Sequence, residues 1–147
     1  MCVIKSFTAD KMDVRVFANR EAMGACAGDE AARHLRLLLD ERNEVNVMFA
    51  AAPSQNETLA ALGEAEGVDW SRVNAFHMDE YVGLDPANPA GFGNFLRRAI
   101  FDRLPFKSVH LLDGNAADLP GAALTYSALL RAHPLDICLL GVGENGH

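Results

Sequence analysis

A three-layer α/β fold, with a mostly parallel, Rossmann-like sheet between helices on both faces, is what the sequence predicts, and three observations carry that expectation. Short apolar runs ("EVNVMFAA", "RVNAFHM", "SVHLL" and "LDICLLG") alternate with segments of helical period. Strands separated by helices imply parallel crossovers. No internal repeat, low-complexity stretch or linker interrupts the 147 residues, so residues 1–147 read as a single domain with a sizeable core.

Taken in order, the elements follow from local chemistry. After a short start, Asn19 is placed as the N-cap of a helix over 20–42, where Met23, Ala27, Ala31, Leu35 and Leu38 recur at three- and four-residue steps. Residues 44–51 form a strand. A helix over 54–64 follows, and Ser54 with Glu57 has the form of a capping box, each side chain serving the other's backbone N–H. A strand over 72–78 leads to a helix over 91–104 closed by Pro105. A short strand at 108–112, a helix over 121–132 and a last strand at 135–141 complete the series.

Composition excludes several functions. Half of the residues are hydrophobic and 22% are charged, as in a soluble globular protein. The net charge of −7 and the acidic isoelectric point argue against a nucleic-acid partner or an anionic membrane surface. Cys2, Cys26 and Cys138 form no C-x-x-C pair, so they read as reduced thiols rather than a zinc site. The first residues lack a signal-peptide core and no run reaches membrane-spanning length, so the expected location is cytoplasmic.

Ligands in such sheets bind at the carboxyl ends of the strands, which singles out three loops: "AAPSQNE", "HMDEYVGLD" and "GVGENGH". Gly141, Gly143 and Gly146 spell G-x-G-x-x-G, yet a dinucleotide fingerprint needs a following helix and a later acidic residue, and neither is in this sequence. A tight turn presenting Glu144, Asn145 and His147 explains these glycines better. In the middle loop, His77, Asp79, Glu80 and Asp85 follow an apolar strand, where a carboxylate can be tuned for proton transfer. The bland alternative is a solvated acidic turn. A metal site from His77, Asp79, Glu80 and His147 has no common ligand spacing, so neither metal nor cofactor is expected. The first loop enters a helix whose start suits an anion such as phosphate, although Ser54 is equally explained as a cap.

Together, "FHMDEYVGLDPANPAGFGNFLRRAIFD", "VHLLDGNAAD" and "LDICLLGVGENGH" resemble the glucosamine-6-phosphate deaminase (isomerising) family, which belongs to a larger group that includes the 6-phosphogluconolactonases. The resemblance runs from about Val14 to His147. It implies ring opening of an amino-sugar phosphate, an enediol-like species, and release of a ketose 6-phosphate with ammonia. By resemblance, Asp79 is the base that moves a proton between C2 and C1, His147 assists ring opening, and Asn145 orients that histidine. Well-known members carry aspartate at the Asn145 position; asparagine accepts a hydrogen bond but supplies no charge to an imidazolium. Pro53, Ser54, Gln55 and Asn56 occupy the phosphate loop, where the family usually reads T-G-G-T-P. Glu80, Gly143 and Glu144 complete the substrate-binding set, with Glu80 supporting rather than catalytic.

By the same resemblance the family continues past the G-H turn, with a further glutamate and basic residues that clamp the phosphate. The chain is therefore expected to be the N-terminal portion of a longer fold, and none of its 13 Lys and Arg residues falls in the three loops. The alternatives are a 6-phosphogluconolactonase-type hydrolase, whose members more often carry D-E-R than M-D-E-Y, and a non-catalytic sugar-phosphate-binding module. The expected partner is a small sugar phosphate, with no nucleic acid and no membrane. An apolar edge strand leaves a homo-oligomer open.

Overall fold

In the computed structural model, which describes residues 3–146, a parallel four-stranded sheet runs in the order β5-β4-β3-β6. Its strands are β3 (Val45–Phe49), β4 (Val73–His77), β5 (Ser108–His110) and β6 (Ile137–Leu139). All residues of β3 and β4 are buried, which explains why both read as nearly continuous apolar runs rather than alternating ones.

On one face lie α1 (Arg20–Glu41), α2 (Asn56–Glu64) and α3 (Phe92–Leu96), the last continuing as a π-helical turn, Arg97–Phe101. Val45, Val47, Phe49, Val73 and Ala75 point towards them and meet Leu35, Leu59, Leu62, Leu96 and Ile100. Phe49 packs edge-on against Phe101 at 5.3 Å between ring centroids, and Trp70 against Phe106 at 5.0 Å. The Asn19 cap forms as expected, its side chain accepting from Ala22 N at 2.8 Å. Two glycines on α1 set its distance from α2. A Cβ on Gly24 would overlap the Glu57 side chain, and one on Gly28 would lie 2.6 Å from Ala61 Cβ.

On the opposite face α4 (Leu119–Ala132) covers the sheet, and none of its residues is buried. Polar residues of the central strands are satisfied there: Asn74 donates to Asn46 (2.9 Å), Ser108 donates to Asn74 (2.6 Å), and Asn46 donates to the Pro134 carbonyl (3.0 Å). His110 stacks on Phe76 at 4.8 Å.

Three expectations need correction. The short start is an antiparallel hairpin of β1 (Val3–Ala9) and β2 (Met12–Phe17), turning through Asp10 at φ 55°. Every β1 residue is exposed, so no buried face marked it as a strand. The helix expected over 91–104 becomes α3 plus the π turn, which lets adjacent Ile100 and Phe101 both be buried. The Ser54–Glu57 capping box is not formed. Pro53–Gln55 make a 3₁₀ turn, α2 has no side-chain cap, and Glu57 pairs with Arg20 instead. Of the cysteines, Cys26 is buried and Cys138 exposed, both as free thiols; Cys2 lies outside the described residues. Among those residues no helix is long and apolar enough to cross a membrane.

Candidate active site

Strand order brings the three loops together. β4, β3 and β6 are consecutive in the sheet, so the turns bearing Asp79, Ser54 and Gly141 leave neighbouring carboxyl ends. Between β3 and β6 the winding reverses: α2 leaves β3 on one face, while α4 enters β6 from the other. Such a switch point parts the two loops and leaves a ligand crevice. Here the crevice has a volume of about 430 Å³, with Ser54, Gln55, Thr58, Leu140, Gly141 and Val142 among its lining residues.

In the first loop the backbone N–H groups of Gln55 and Asn56 are taken up within the 3₁₀ turn. The Gln55 N–H turns back to the Ala52 carbonyl (2.9 Å) and the Asn56 N–H to that of Pro53. The Glu57 carboxyl pKa is held below its ordinary value, first by the Arg20 guanidinium and then by its own backbone N–H. The Ser54 hydroxyl and the side-chain amides of Gln55 and Asn56 are donors that the loop does not itself take up. Gln55 is only 7% exposed, and its amide makes no hydrogen bond to any described residue. A Cβ on Gly141 would lie 3.3 Å from Gln55 Nε2 and 3.9 Å from Ser54 Oγ, so glycine keeps the crevice open where the loops meet.

The terminal loop is the tight turn expected. Gly146 N donates to Gly143 O at 3.0 Å, and Gly146 adopts φ +79°. Glu144 and Asn145 are exposed on this turn. His147 lies outside the described residues.

The acidic loop sorts its carboxylates by partner. Both oxygens of Glu80 are engaged by backbone N–H groups: Tyr81 (2.9 Å), Phe92 (2.9 Å) and Gly93 (2.8 Å). Burial raises the Glu80 pKa, but these bonds outweigh it and hold the group below the usual glutamate value. Glu80 thereby ties the loop to the start of α3, a supporting task. Asp85 accepts from Ala87 N at 2.8 Å and shapes a turn. Asp79, two residues past β4, stays exposed. The loop is braced from the β5 side, where Gly83 N donates to Gly114 O (3.0 Å) and Asn115 donates to the Leu84 carbonyl (2.8 Å).

Beneath them His77 is fully buried. Its Nδ1 accepts from Leu112 N at 3.2 Å, which leaves the proton on Nε2. Burial pushes its pKa down. The backbone carbonyls of His77 and His110 both accept from the Tyr126 hydroxyl, at 2.7 and 3.2 Å. Burial pushes that phenol up to about 12, so it remains a donor at neutral pH. Among the described residues no cluster of three or more His, Cys, Asp and Glu could hold a metal ion.

One contributor escapes the loop-by-loop reading. Arg20 opens α1, far from the first loop in sequence, yet its guanidinium donates to the Pro53 carbonyl (2.8 Å) and to both oxygens of Glu57 (2.8 and 2.7 Å). The available signal was Arg20, Gly24 and Gly28 at four-residue spacing, one stripe along α1.

Comparison with known proteins bears on the family and the fold. The family model for glucosamine-6-phosphate isomerases/6-phosphogluconolactonase matches residues 18–147. The glucosamine-6-phosphate deaminase of Arthrobacter sp. (strain FB24) is 37% identical over 139 residues, 92% of this chain and 53% of that protein. That of Enterococcus faecalis is 37% identical over 105 residues, 71% and 45%. The chain spans about half the length of the curated relatives it matches. Among solved structures, a monomeric glucosamine-6-phosphate deaminase superposes with a TM-score of 0.76 at 23% identity, over 88% of this chain and 54% of that one. A 6-phosphogluconolactonase from Shewanella baltica gives 0.78 at 18% identity, over 89% and 57%. At those identities the likeness is one of fold.

Proposed function

This chain belongs to the family of glucosamine-6-phosphate isomerases and 6-phosphogluconolactonases, and from that premise we propose that the protein is a cytoplasmic amino-sugar phosphate deaminase/isomerase. The observation that carries the reading is that the Asp79, Ser54 and Gly141 turns leave neighbouring strand ends, the last two lining the switch-point crevice.

In this reading the phosphate of glucosamine 6-phosphate or galactosamine 6-phosphate binds at the turn of Pro53–Gln55, with the hydroxyl of Ser54 and the amides of Gln55 and Asn56 as donors. Gly143 and Glu144 contact the sugar. His147, oriented by Asn145, moves a proton from the C1 hydroxyl to the ring oxygen and opens the ring. Asp79 takes the C2 proton and returns it to C1. The C2 amine becomes an iminium, water adds at C2, and ammonia leaves with the ketose phosphate. Exposure of Asp79 at the end of the strand next to β3, with Glu80 and Asp85 held by backbone, supports it as the proton carrier.

Ammonia release tests the proposal. The full-length protein is incubated separately with glucosamine 6-phosphate, galactosamine 6-phosphate and 6-phosphogluconolactone. Ammonia from an amino-sugar phosphate is the expected result. Acid release from the lactone alone would establish the hydrolase, and sugar-phosphate binding with no turnover would establish a binding module.

A further inference from the structure

We infer that Arg20 is a positioning residue for the substrate turn, holding Ser54 and Gln55 against the crevice through Glu57 and the Pro53 carbonyl. The inference rests on the proposed use of that turn for the sugar phosphate.

Three observations converge on it. The turn has no cap of its own, since neither Ala52 before the 3₁₀ segment nor Gln55 before α2 makes a side-chain capping bond. Arg20 supplies what the cap would have supplied. One guanidinium spans the Pro53 carbonyl at the start of the turn and the Glu57 carboxylate at its end, and Ser54 and Gln55 lie between these anchors. A planar fork with fixed donors holds two acceptors at a set separation, which a lysine ammonium does not. The third observation is the footing of this clamp. A Cβ on Gly24, one turn along α1, would overlap the Glu57 side chain, so the helix backbone closes on α2 just where Arg20 engages it. Gly28 repeats the close approach at Ala61 and Thr58. The head of α1 and the start of α2 therefore move as one unit, and the turn between β3 and α2 moves with them.

The Arg20 side chain is 53% exposed and that of Glu57 27%. An exposed ion pair adds little to global stability. Its effect is geometric, and it acts on the placement of donors that contact the phosphate rather than on Asp79.

The test uses the full-length protein with Arg20→Gln, Arg20→Lys, Glu57→Gln and the double variant Arg20→Gln/Glu57→Gln. Hydrogen exchange is read first, because it needs no activity. Exchange at the Gln55 and Asn56 amides should rise at least tenfold in Arg20→Gln, while the β3 amides of Val47 and Phe49 stay unchanged; equal protection in variant and wild type would overturn the inference. Turnover is read second. Each single Gln variant should raise KM for the sugar phosphate about tenfold with kcat within about threefold, Lys should fall between Gln and wild type, and the double variant should be no worse than the worse single. Unchanged KM with a lowered Tm would show a purely structural pair and overturn it. Loss of kcat at unchanged KM would overturn it as well. A wild-type protein without turnover would defeat the proposed function instead, and the exchange experiment would still decide the role of Arg20.

Discussion

His77 Nε2 lies 3.7 Å from Glu80 Oε2, fully buried and without a hydrogen-bond partner among the described residues, while that carboxylate is bonded to the backbone at the start of α3. The strand end that carries Asp79 is thus built on a neutral histidine beside an ionised glutamate.

Acid sensitivity follows from this arrangement. Burial lowers the pKa of His77, and burial with the neighbouring His133 lowers that of His110. The unfolded chain therefore binds protons that the folded chain does not, and stability falls as pH drops below the ordinary histidine value near 6.5. Each such histidine contributes a slope of up to about 1.4 kcal/mol per pH unit in that window. The Glu80 carboxyl, held low, adds its own loss further down, below the ordinary glutamate value. Denaturant unfolding of wild type and His77→Gln between pH 7 and 5 should show a shallower decline in the variant. Parallel curves would place the acid sensitivity elsewhere.

Gly114 bears on the same loop from outside. A Cβ there would overlap the Tyr81 carbonyl, and the Gly114 carbonyl accepts from Gly83 N. Gly114→Ala is therefore expected to cost about 1–3 kcal/mol, the usual range for overpacking. It should also lower turnover, because the displaced segment begins two residues after Asp79. A stability within 0.5 kcal/mol of wild type (roughly the spread of neutral surface changes) would show that the loop yields freely.

These contacts mark what the sequence could and could not disclose. β3 and β4 were legible because burial on both faces leaves an apolar run in one stretch of chain, and the Gly143–Gly146 turn because its glycines are local. The β1–β2 hairpin was not, since its exposed residues carry no buried face. Ser54-x-x-Glu57 satisfied the capping pattern, yet Pro53 starts a 3₁₀ turn and Arg20, from another helix, captures Glu57. The roles of Asp79 and Glu80 look interchangeable in a D-E pair. Only the fold shows that Phe92 and Gly93 return to claim the second carboxylate.

Asp79→Asn separates catalysis from folding. The residue is exposed, so the variant should keep the wild-type Tm within a degree or two, as exposed substitutions usually do. Asparagine is nearly isosteric but cannot accept the C2 proton, and ammonia release should fall by about 10²–10⁴-fold. Binding of the sugar phosphate should survive. Retained turnover would remove Asp79 from the proton path.

Gln55 separates ligand binding from stability at a single position. Its amide is nearly enclosed at the crevice between the first loop and Gly141, and makes no hydrogen bond to a described residue. The amide opens onto the crevice rather than into the sealed interior, so it stays available to a phosphate oxygen. Gln55→Met keeps the volume and removes the amide. The variant should be about as stable as wild type, within roughly 0.5 kcal/mol, because no hydrogen bond to a described residue is lost. Its affinity for the sugar phosphate should fall about tenfold or more, the worth of one hydrogen bond to a charged acceptor. Thermal unfolding and calorimetric titration on the same samples read the two effects independently. If Gln55→Met lowered stability and left affinity intact, the amide would belong to the packing of α2 and the phosphate would lie against Ser54 alone.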